Sequence, residues 1–488
     1  MRRTSLSLAL VFACLLVLAA CGGKSKSSSS STTPSGSSSI TGAELVPASA
    51  TAFFSINTDS TGAQWKQAMK LLTGVPALQK SLTKSLTSSG ITLSEVEQAL
   101  GSTTNFVELG TSAKSKSMQV VLTNTKDPAK LKSILAQDTS KTKSVTTEIG
   151  SWLAVADSQA ALDQFNSAAA KGKLADSSAF KAAIAGTPTD SLVRAYFEGS
   201  AINASSMASL SSNATVSKAL QKAVGKNQLE WGTLAVSAVP TGLSIDGIFK
   251  GKTSLANSNL SLVDELPSGT SFAVDLNGKT LGLDKAVENL RNNKKYGSQI
   301  PAMEAALGVT LDDLAALAGS EMSIYGTESG VGLLIKAADA AKSKTMLDKV
   351  ATLLSAQSKG SSKSVTVGGV AATELTLGKT SIYLGVDGGN LFVVTNADAL
   401  PGSSKLSSDP VYSAAAKELA IPAANAGVGY IDFAKLAALS KSGSSVVGSL
   451  GGSSSSSNLS SLNGLSAVLG YIAANGDKIE LKALFSIK

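Results

Sequence analysis

Histidine is absent from this chain, and cysteine occurs only twice, at positions 14 and 21. Histidine is the commonest general base and a leading metal ligand, so its absence excludes Ser-His-Asp and Cys-His catalysis and the usual zinc and copper sites. Because both cysteines lie close to the N-terminus, the rest of the chain holds no thiol for a disulfide or a nucleophile. We therefore expect no enzyme, no cofactor and no metal site.

Aromatic residues and clustered charge are also scarce. Aromatic residues make up 5% of the chain against 43% for all hydrophobic residues, which predicts a core of Ala, Leu, Val and Ile. The formal net charge is +8, and its lysines are scattered among acidic residues. This pattern indicates a solvated surface with weak attraction to anionic lipid or wall polymer and argues against a nucleic-acid partner.

The N-terminus has the pattern of an export signal. Arg2 and Arg3 precede an apolar run at 6–18, which is shorter than the roughly 20 residues of a membrane-spanning helix. Leu18-Ala19-Ala20-Cys21 then resembles the lipobox of bacterial lipoproteins. That resemblance implies a signal peptide at 1–20, cleavage before Cys21 and a thioether-linked diacylglycerol on the Cys21 sulfur, with acyl chains such as palmitate. Cys21 is thus the predicted lipidation site, and the acyl chains would hold the protein on the extracytoplasmic side of the cell membrane.

The mature chain divides by composition and by recurring sequence matches. Residues 21–43 contain the predicted lipidated cysteine and a Ser-rich flexible tether. Short matches then recur in the same order, residues 46–57 with 266–277 and 243–249 with 479–485 among them. They predict a tandem duplication, with repeat unit 1 at 44–250, a joint at 251–262 and repeat unit 2 at 263–488. A Ser/Gly-rich loop is expected at 441–464 within the second unit.

Local signals predict a mixture of helices and strands. Thr92 with Glu95, and Thr310 with Asp313, are capping-box patterns that begin a helix. Gly101 is predicted to end the first of these helices. A third helix is predicted to start where an acidic N-cap precedes proline, at 127–128.

The last strand of the chain alternates between apolar and charged residues. Ile479, Leu481 and Phe485 are predicted to face a core, whereas Lys478 and Glu480 face solvent. Such alternation is typical of an antiparallel sheet with one buried face. The predicted fold class is therefore α+β, a tandem duplication of a unit whose antiparallel sheet is covered by helices on one side.

Several motifs resemble catalytic or ligand-binding sites but are better explained by turns and packing. Gly-Lys-Thr occurs at 251–253, 278–280 and 378–380, but the glycine that a phosphate-binding loop needs five residues earlier is missing each time. Ser81 and Lys84 fit a Ser-x-x-Lys nucleophile motif that this composition produces by chance. The tryptophans at 65, 152 and 231 are interpreted as packing anchors.

Four acidic residues are weighed in the same way. Asp312 and Asp313 could mark a cation site, but helix capping explains them better. Glu198 and Asp432 stand at the ends of predicted strands, where they could cap a turn or line a groove, and the structural interpretation is preferred. No catalytic, cofactor-binding or metal-binding residue is therefore assigned.

Two segments carry a resemblance to a known family. Residues 45–57 followed by Gln64 and Trp65, and residues 127–131, look like a bacterial family known only as domain of unknown function 3352. Its members usually carry a lipobox or one N-terminal membrane segment, and they have no assigned activity. The resemblance covers nearly the whole mature chain. It implies that the protein is located in the cell envelope.

The sequence leaves two functions open. The first is a lipid-anchored extracytoplasmic envelope protein with a non-catalytic binding or structural role, whose partners would be the membrane, through Cys21, and an envelope protein or polymer. The alternative is a carrier of lipid or another hydrophobic ligand. An enclosed apolar cavity would favour the carrier, and an exposed apolar patch would favour the binding protein.

Overall fold

The computed structural model describes a defined part of the chain. Several predicted features lie outside the described residues. They are the predicted signal peptide at 1–20, Cys21 and the rest of the predicted tether up to residue 39, Ser81, Lys84 and nearly all of the predicted loop at 441–464. The described residues are 40–75, 92–110, 118–136, 144–199, 229–252, 255–280, 282–293, 297–358, 360–378, 380–400, 402, 404–441 and 464–488.

Strands are the main element of this part of the chain. They are β1 (Ala50–Asn57), β2 (Leu100–Leu109), β3 (Met118–Thr125), β4 (Val145–Ile149), β5 (Trp152–Ala156), β6 (Val193–Glu198), β7 (Leu229–Val239), β8 (Gly242–Gly251), β9 (Ser258–Asn259), β10 (Thr270–Asn277), β11 (Glu321–Thr327), β12 (Val331–Lys336), β13 (Ser361–Val367), β14 (Val370–Leu377), β15 (Thr380–Asp387), β16 (Asn390–Val394), β17 (Ala424–Asn425), β18 (Gly427–Asp432), β19 (Leu465–Asn475) and β20 (Lys478–Ile487).

Helices connect many of these strands. They are α1 (Ala63–Leu72), α2 (Leu93–Ala99), α3 (Pro128–Ala136), α4 (Gln159–Lys171), α5 (Ser178–Ile184), α6 (Leu262–Glu265), α7 (Leu283–Arg291), α8 (Ile300–Leu307), α9 (Leu311–Ala318), α10 (Ala340–Ser358), α11 (Pro410–Leu419) and α12 (Phe433–Lys441).

Eighteen of the described strands join into a single antiparallel sheet, and β9 and β17 form a separate pair. The predicted fold class, a tandem duplication in which each copy has its own antiparallel sheet covered by helices, is therefore wrong. That prediction rested on short matches, which recur by composition in a chain rich in Ala, Ser and Leu. Alternation identifies strands but not their neighbours, because strand pairing uses backbone groups that nearly all residues share.

The internal contacts divide the chain into two compact units. The first holds the described residues of Met1–Thr253 with Asp477–Lys482 and Ser486–Lys488, and the second those of Ser254–Gly476 with Ala483–Phe485. Most of the last strand thus belongs to the first unit, where the Gly251 N–H donates to the Asp477 carbonyl at 2.9 Å. The Ile487 N–H donates to the Thr241 carbonyl, also at 2.9 Å. These bonds pair backbone groups that an open strand edge would leave exposed.

In the first unit the strand order is β4-β5-β3-β2-β1-β6-β7-β8, and helices cover both faces. Phe165 of α4 and Phe180 of α5 pack on one face, while α1 to α3 pack on the other around Trp65. The expectation of helices on one side only is wrong here. Strand β5 shows the reason, because all five of its residues are buried, with Leu153 in one core and Ala154 in the other.

In the second unit the strand order is β13-β14-β15-β16-β12-β11-β10-β18-β19. Helix α10 packs on β13 to β16, and Met346, Leu347 and Ala351 join the core there. On the other part of the sheet, α6 and α12 contact β10 and α11 contacts β19. The three strands β11, β10 and β18 therefore lie side by side next to β19 in this order, each paired antiparallel to the next.

The local helix signals have mixed outcomes. Both capping boxes are confirmed, since the hydroxyls of Thr92 and Thr310 accept from the backbone N–H three residues later, and their own backbone N–H groups donate to the carboxylates of Glu95 and Asp313. Asp127 is confirmed as a cap, because its carboxylate accepts from the Lys130 N–H at 2.9 Å. Gly101 lies at the predicted C′ position, one residue after the C-cap Leu100, but it does not have the positive φ of a capping glycine. Helix α2 ends at Ala99 and passes straight into β2, and a side chain at Gly101 would collide with the backbone carbonyl of Asn124.

The predicted inner face of β20 is also wrong. The most buried residue of this strand is Leu484, with no exposed surface, and Ser486 on the same side is 8% exposed. Phe485 and the apolar residues that alternate with it are half-buried. Both sides of the strand are thus at least partly covered, so alternation alone did not identify the buried side.

Candidate interaction surface

Large apolar side chains are exposed on the second unit. Among the described residues six such side chains are prominently exposed, and all of them lie in this unit. Three belong to the adjacent strands β10, β11 and β18, where Val274 is 47%, Ile324 48% and Ile431 36% exposed. Single exposed apolar residues are ordinary, whereas a group of neighbours marks an interaction site.

The strand register places these three side chains on one face of the sheet. Val274 lies directly opposite Ile324, and Ile431 lies opposite Phe272, which is two residues before Val274 on the same strand. Residues two apart along a strand, and residues directly opposite across a pair, project from the same face. The half-buried Leu333 and Val468 extend this row, because they lie opposite Ile324 and Ile431. We call this surface the apolar face. It consists of Val274, Ile324, Leu333, Ile431 and Val468, together with Gly429.

Glycine 429 opens a depression within the apolar face. It lies opposite Val274 on one side and opposite Gly470 on the other. A Cβ added at Gly429 would meet no atom of a described residue within 4 Å. Two neighbouring glycines therefore leave the sheet without side chains at this point, beside the exposed Val274.

Other strand glycines of the same unit are covered by aromatic rings. A Cβ at Gly326 would fall on the ring of Phe272, and one at Gly385 on the ring of Phe392. In both cases the ring belongs to the residue directly opposite on the neighbouring strand. Gly429 has Val274 and Gly470 opposite it, so no such ring is supplied by its partners. The depression has the form of a site for a bulky apolar side chain that comes from outside the sheet.

Buried carboxylates form hydrogen bonds on the inner side of β10, which is the side opposite the apolar face. Asp275 follows Val274 and points to the opposite face, where its Oδ2 accepts from the Val263 N–H at 2.8 Å. On β11, Glu321 Oε1 accepts from the Leu262 N–H at 2.6 Å, and Glu321 also pairs with Lys336 at 3.2 Å. These bonds attach the N-terminus of α6 to the two strands that carry Val274 and Ile324.

Asp275 is the most perturbed acid among the described residues. It has no exposed surface, and its Oδ1 has no hydrogen-bond partner in the described part of the chain. Burial, reinforced by the negative charge of Glu321, raises the pKa of Asp275 to about 7, although the bond from the Val263 N–H opposes this shift. The group therefore changes its protonation state near neutral pH.

Two tyrosines complete the inner side. The Tyr412 hydroxyl donates to Asp264 Oδ1 at 2.9 Å, and its ring meets that of Tyr430 edge-on with centroids 5.2 Å apart. Burial raises the pKa of both tyrosines well above the usual value. Both hydroxyls thus stay protonated in the physiological range, and the pair acts as packing for the sheet.

The acidic residues singled out by sequence occupy structural positions. Asp432 is 3% exposed and caps α12, accepting from the backbone N–H groups of Ala434 and Lys435 at 2.9 and 3.0 Å. Asp313 closes its capping box, and hydrogen bonds from Lys342 and Thr310 hold its pKa at about 2. The structure does not bring these acids together.

The remaining candidates are also accounted for by the fold. Asp312 pairs with Arg291 at 2.8 Å on the surface, and Glu198 is exposed at the end of β6. Two of the Gly-Lys-Thr sites end or follow a strand, and Gly378 has the positive φ of a turn. The tryptophans at 65, 152 and 231 are 1%, 7% and 3% exposed, so their role as packing anchors is confirmed.

Sequence reasoning missed the apolar face. The signal was present in β10, where Phe272, Ala273 and Val274 are consecutive apolar residues and cannot all point to one face. Within the described ranges no group of three or more Asp, Glu, Cys or His side chains is placed to hold a metal ion. No helix in those ranges is long and apolar enough to cross a membrane.

Comparison with known proteins places the chain beside one family. A family model described as "Protein of unknown function (DUF3352)" matches residues 105–467. No curated protein and no solved structure matches the chain.

Proposed function

The chain belongs to the DUF3352 family of proteins of unknown function, and we propose that it is a lipid-anchored envelope protein that binds a partner protein through the apolar face. Its role is non-catalytic. Support for this part comes from composition, since the chain has no histidine and its only cysteines are at positions 14 and 21. The lipobox-like Leu18-Ala19-Ala20-Cys21 supports the anchor and the extracytoplasmic location.

The observation that carries the binding role is the exposure of Val274, Ile324 and Ile431 around the open Gly429. Apolar surface left in water costs about 2.5 kcal/mol for every 100 Å², so a partner that covers this face gains a driving force for association. The strands beneath it are held by buried carboxylates, which keeps the surface preformed.

The occupant we propose is a protein segment with a bulky aromatic or aliphatic side chain. Within the second unit, Phe272 covers Gly326 and Phe392 covers Gly385, so this sheet already satisfies its glycines with rings. A partner ring placed over Gly429 would repeat that contact between two proteins. Aromatic anchors in a pocket are also the usual energetic centre of protein interfaces.

Site-specific photocrosslinking tests this proposal. A benzoylphenylalanine placed at position 324 of the full chain, in a bacterium that exports and lipidates it, is expected to give one discrete protein adduct. A Cβ at Gly429 has open space among the described residues, so Gly429→Trp is expected to fill the depression, to abolish that adduct and to leave thermal unfolding unchanged. The same photoreactive residue at position 353, where Leu353 is 40% exposed on α10, is the matched control and should give no such adduct.

Four results would contradict the proposal. The first is the absence of an adduct at position 324, and the second is an adduct that survives Gly429→Trp. The third is an adduct to a second copy of this chain. The fourth is about one lipid per chain recovered by organic extraction of the purified protein. Recovery of lipid would favour the carrier hypothesis instead.

A further inference from the structure

A buried arginine in the first unit has no counterion. Arg194 on β6 is 8% exposed. Its Nη2 donates to the Ile184 carbonyl at 3.4 Å and to Thr187 Oγ1 at 3.1 Å, both of which are neutral. Its Nε has no hydrogen-bond partner among the described residues.

No carboxylate compensates this charge. Within the described ranges, none of the ion pairs involves Arg194. Burial lowers the pKa of Arg194, but a guanidinium remains charged throughout the physiological range. The Ile184 carbonyl ends α5, so the helix dipole offers partial stabilisation only. A buried cation without a partner is costly, and proteins normally pair it.

The neighbouring strand supplies a second donor. Ser55 of β1 lies directly opposite Arg194 in the antiparallel register, so both side chains project from the same face. Ser55 is also 8% exposed. The Thr187 hydroxyl is already committed, because it donates to the Ile184 carbonyl at 2.8 Å while it accepts from Arg194. Thr187 and Ile184 therefore hold the guanidinium, and Arg194 Nε–H and the Ser55 hydroxyl remain for a ligand.

We propose that Arg194 and Ser55 form a binding site for a small oxyanion, a carboxylate or a phosphate group. One oxygen accepts from the Arg194 Nε–H, and the same or a second oxygen accepts from the Ser55 hydroxyl. Charge-assisted bonds of this kind are about twice as strong as neutral ones, and arginine is the residue best suited to them. Because each residue is only 8% exposed, the site admits a small group or the end of a chain rather than a bulky polyanion.

Anion titration of the purified full-length chain in a neutral detergent tests the site. Inorganic phosphate and acetate, at constant ionic strength and against chloride, are expected to raise the unfolding temperature in a saturable way. Arg194→Met should weaken the affinity about 100-fold and Ser55→Ala about 10-fold, in line with the loss of a charged or a neutral bond. Arg291→Met is the matched control, because Arg291 is exposed and paired with Asp312, and it should leave the affinity unchanged.

A stability measurement separates ligand binding from a purely structural role. Without added oxyanion, Arg194→Met should unfold at the same temperature as the natural chain or higher, because it removes an unpaired buried charge. A saturating oxyanion should then make the natural chain the more stable of the two. Vesicles of phosphatidylglycerol distinguish the two sources of the oxyanion. If the vesicles compete with phosphate for the site, the natural ligand is a lipid headgroup, and if they have no effect on phosphate binding, it is a free anion.

The proposal is overturned if phosphate and acetate behave like chloride, or if Arg194→Met retains the oxyanion response. If Arg194→Met fails to fold, Ser55→Ala and Arg194→Lys decide the matter together. An unchanged affinity in both folded proteins would overturn the proposal.

Discussion

Replacing Asp275 by asparagine is expected to remove a pH dependence of folding stability between pH 5 and pH 8. In the native chain Asp275 is fully buried, and its pKa is raised from 3.8 to about 7 by burial and by Glu321. In the unfolded chain the same carboxyl is solvated and titrates near 3.8. The native state therefore binds the proton more tightly than the unfolded state does.

The sign and the size of the pH dependence of folding stability follow from this difference in pKa. Because the folded pKa is the higher one, the stability that Asp275 contributes is fully present below about pH 4 and is lost as the pH rises to about 7. Each pKa unit corresponds to about 1.36 kcal/mol, so the shift amounts to about 4 kcal/mol in total. About 3 kcal/mol of that loss falls between pH 5 and pH 8.

Few other groups interfere in this window. The chain has no histidine, and the described residues hold no cysteine. The pKa of Asp313 is held at about 2, and the pKa of Glu95 is lowered by its bonds from Thr92. Stability contributed by those two acids is lost only as the pH falls below about 4.5, which lies outside the window.

Urea unfolding of the purified chain at pH 5, 6, 7 and 8 measures the effect. The natural chain should lose about 3 kcal/mol over this range, whereas Asp275→Asn should show an almost flat profile and exceed the natural chain at pH 8. Asp312→Asn is the matched control, since Asp312 is an exposed acid and should leave the slope unchanged. A natural chain whose stability is flat or rises from pH 5 to pH 8 would refute the reasoning.

Two further predictions concern the anchor and the core. Cys21→Ser is expected to release the protein from the membrane fraction and to abolish incorporation of labelled palmitate, because the thioether requires sulfur; continued labelling would rule out Cys21 as the acylated residue. Trp65→Ala is expected to lower the free energy of unfolding, measured with guanidinium, by about 3 to 5 kcal/mol. Removal of this ring, which is 1% exposed, would leave a cavity, and the Asn57 carbonyl would lose the hydrogen bond that the Trp65 Nε1–H donates at 2.7 Å. Trp65→Phe should cost clearly less, and equal losses would contradict the packing role.

The sequence by itself determined the local features of this protein. The capping boxes at Thr92 and Thr310 and the cap at Asp127 form as predicted, because each depends on atoms within four residues of one another. The absence of histidine likewise limits the chemistry of the chain whatever its fold. Membership of the DUF3352 family was also visible in short motifs.

Only the tertiary structure decided which strands pair and which faces remain open. Strands pair through backbone hydrogen bonds, which do not depend on the side chains. The side-chain pattern therefore did not reveal that eighteen strands join one sheet, and a duplication was predicted instead. The outward position of Val274 follows from its neighbours on β11 and β18. Arg194 is buried by the fold, and none of the ion pairs among the described residues involves it. Both are long-range properties, because burial and charge pairing depend on residues that are distant along the chain and meet only on folding.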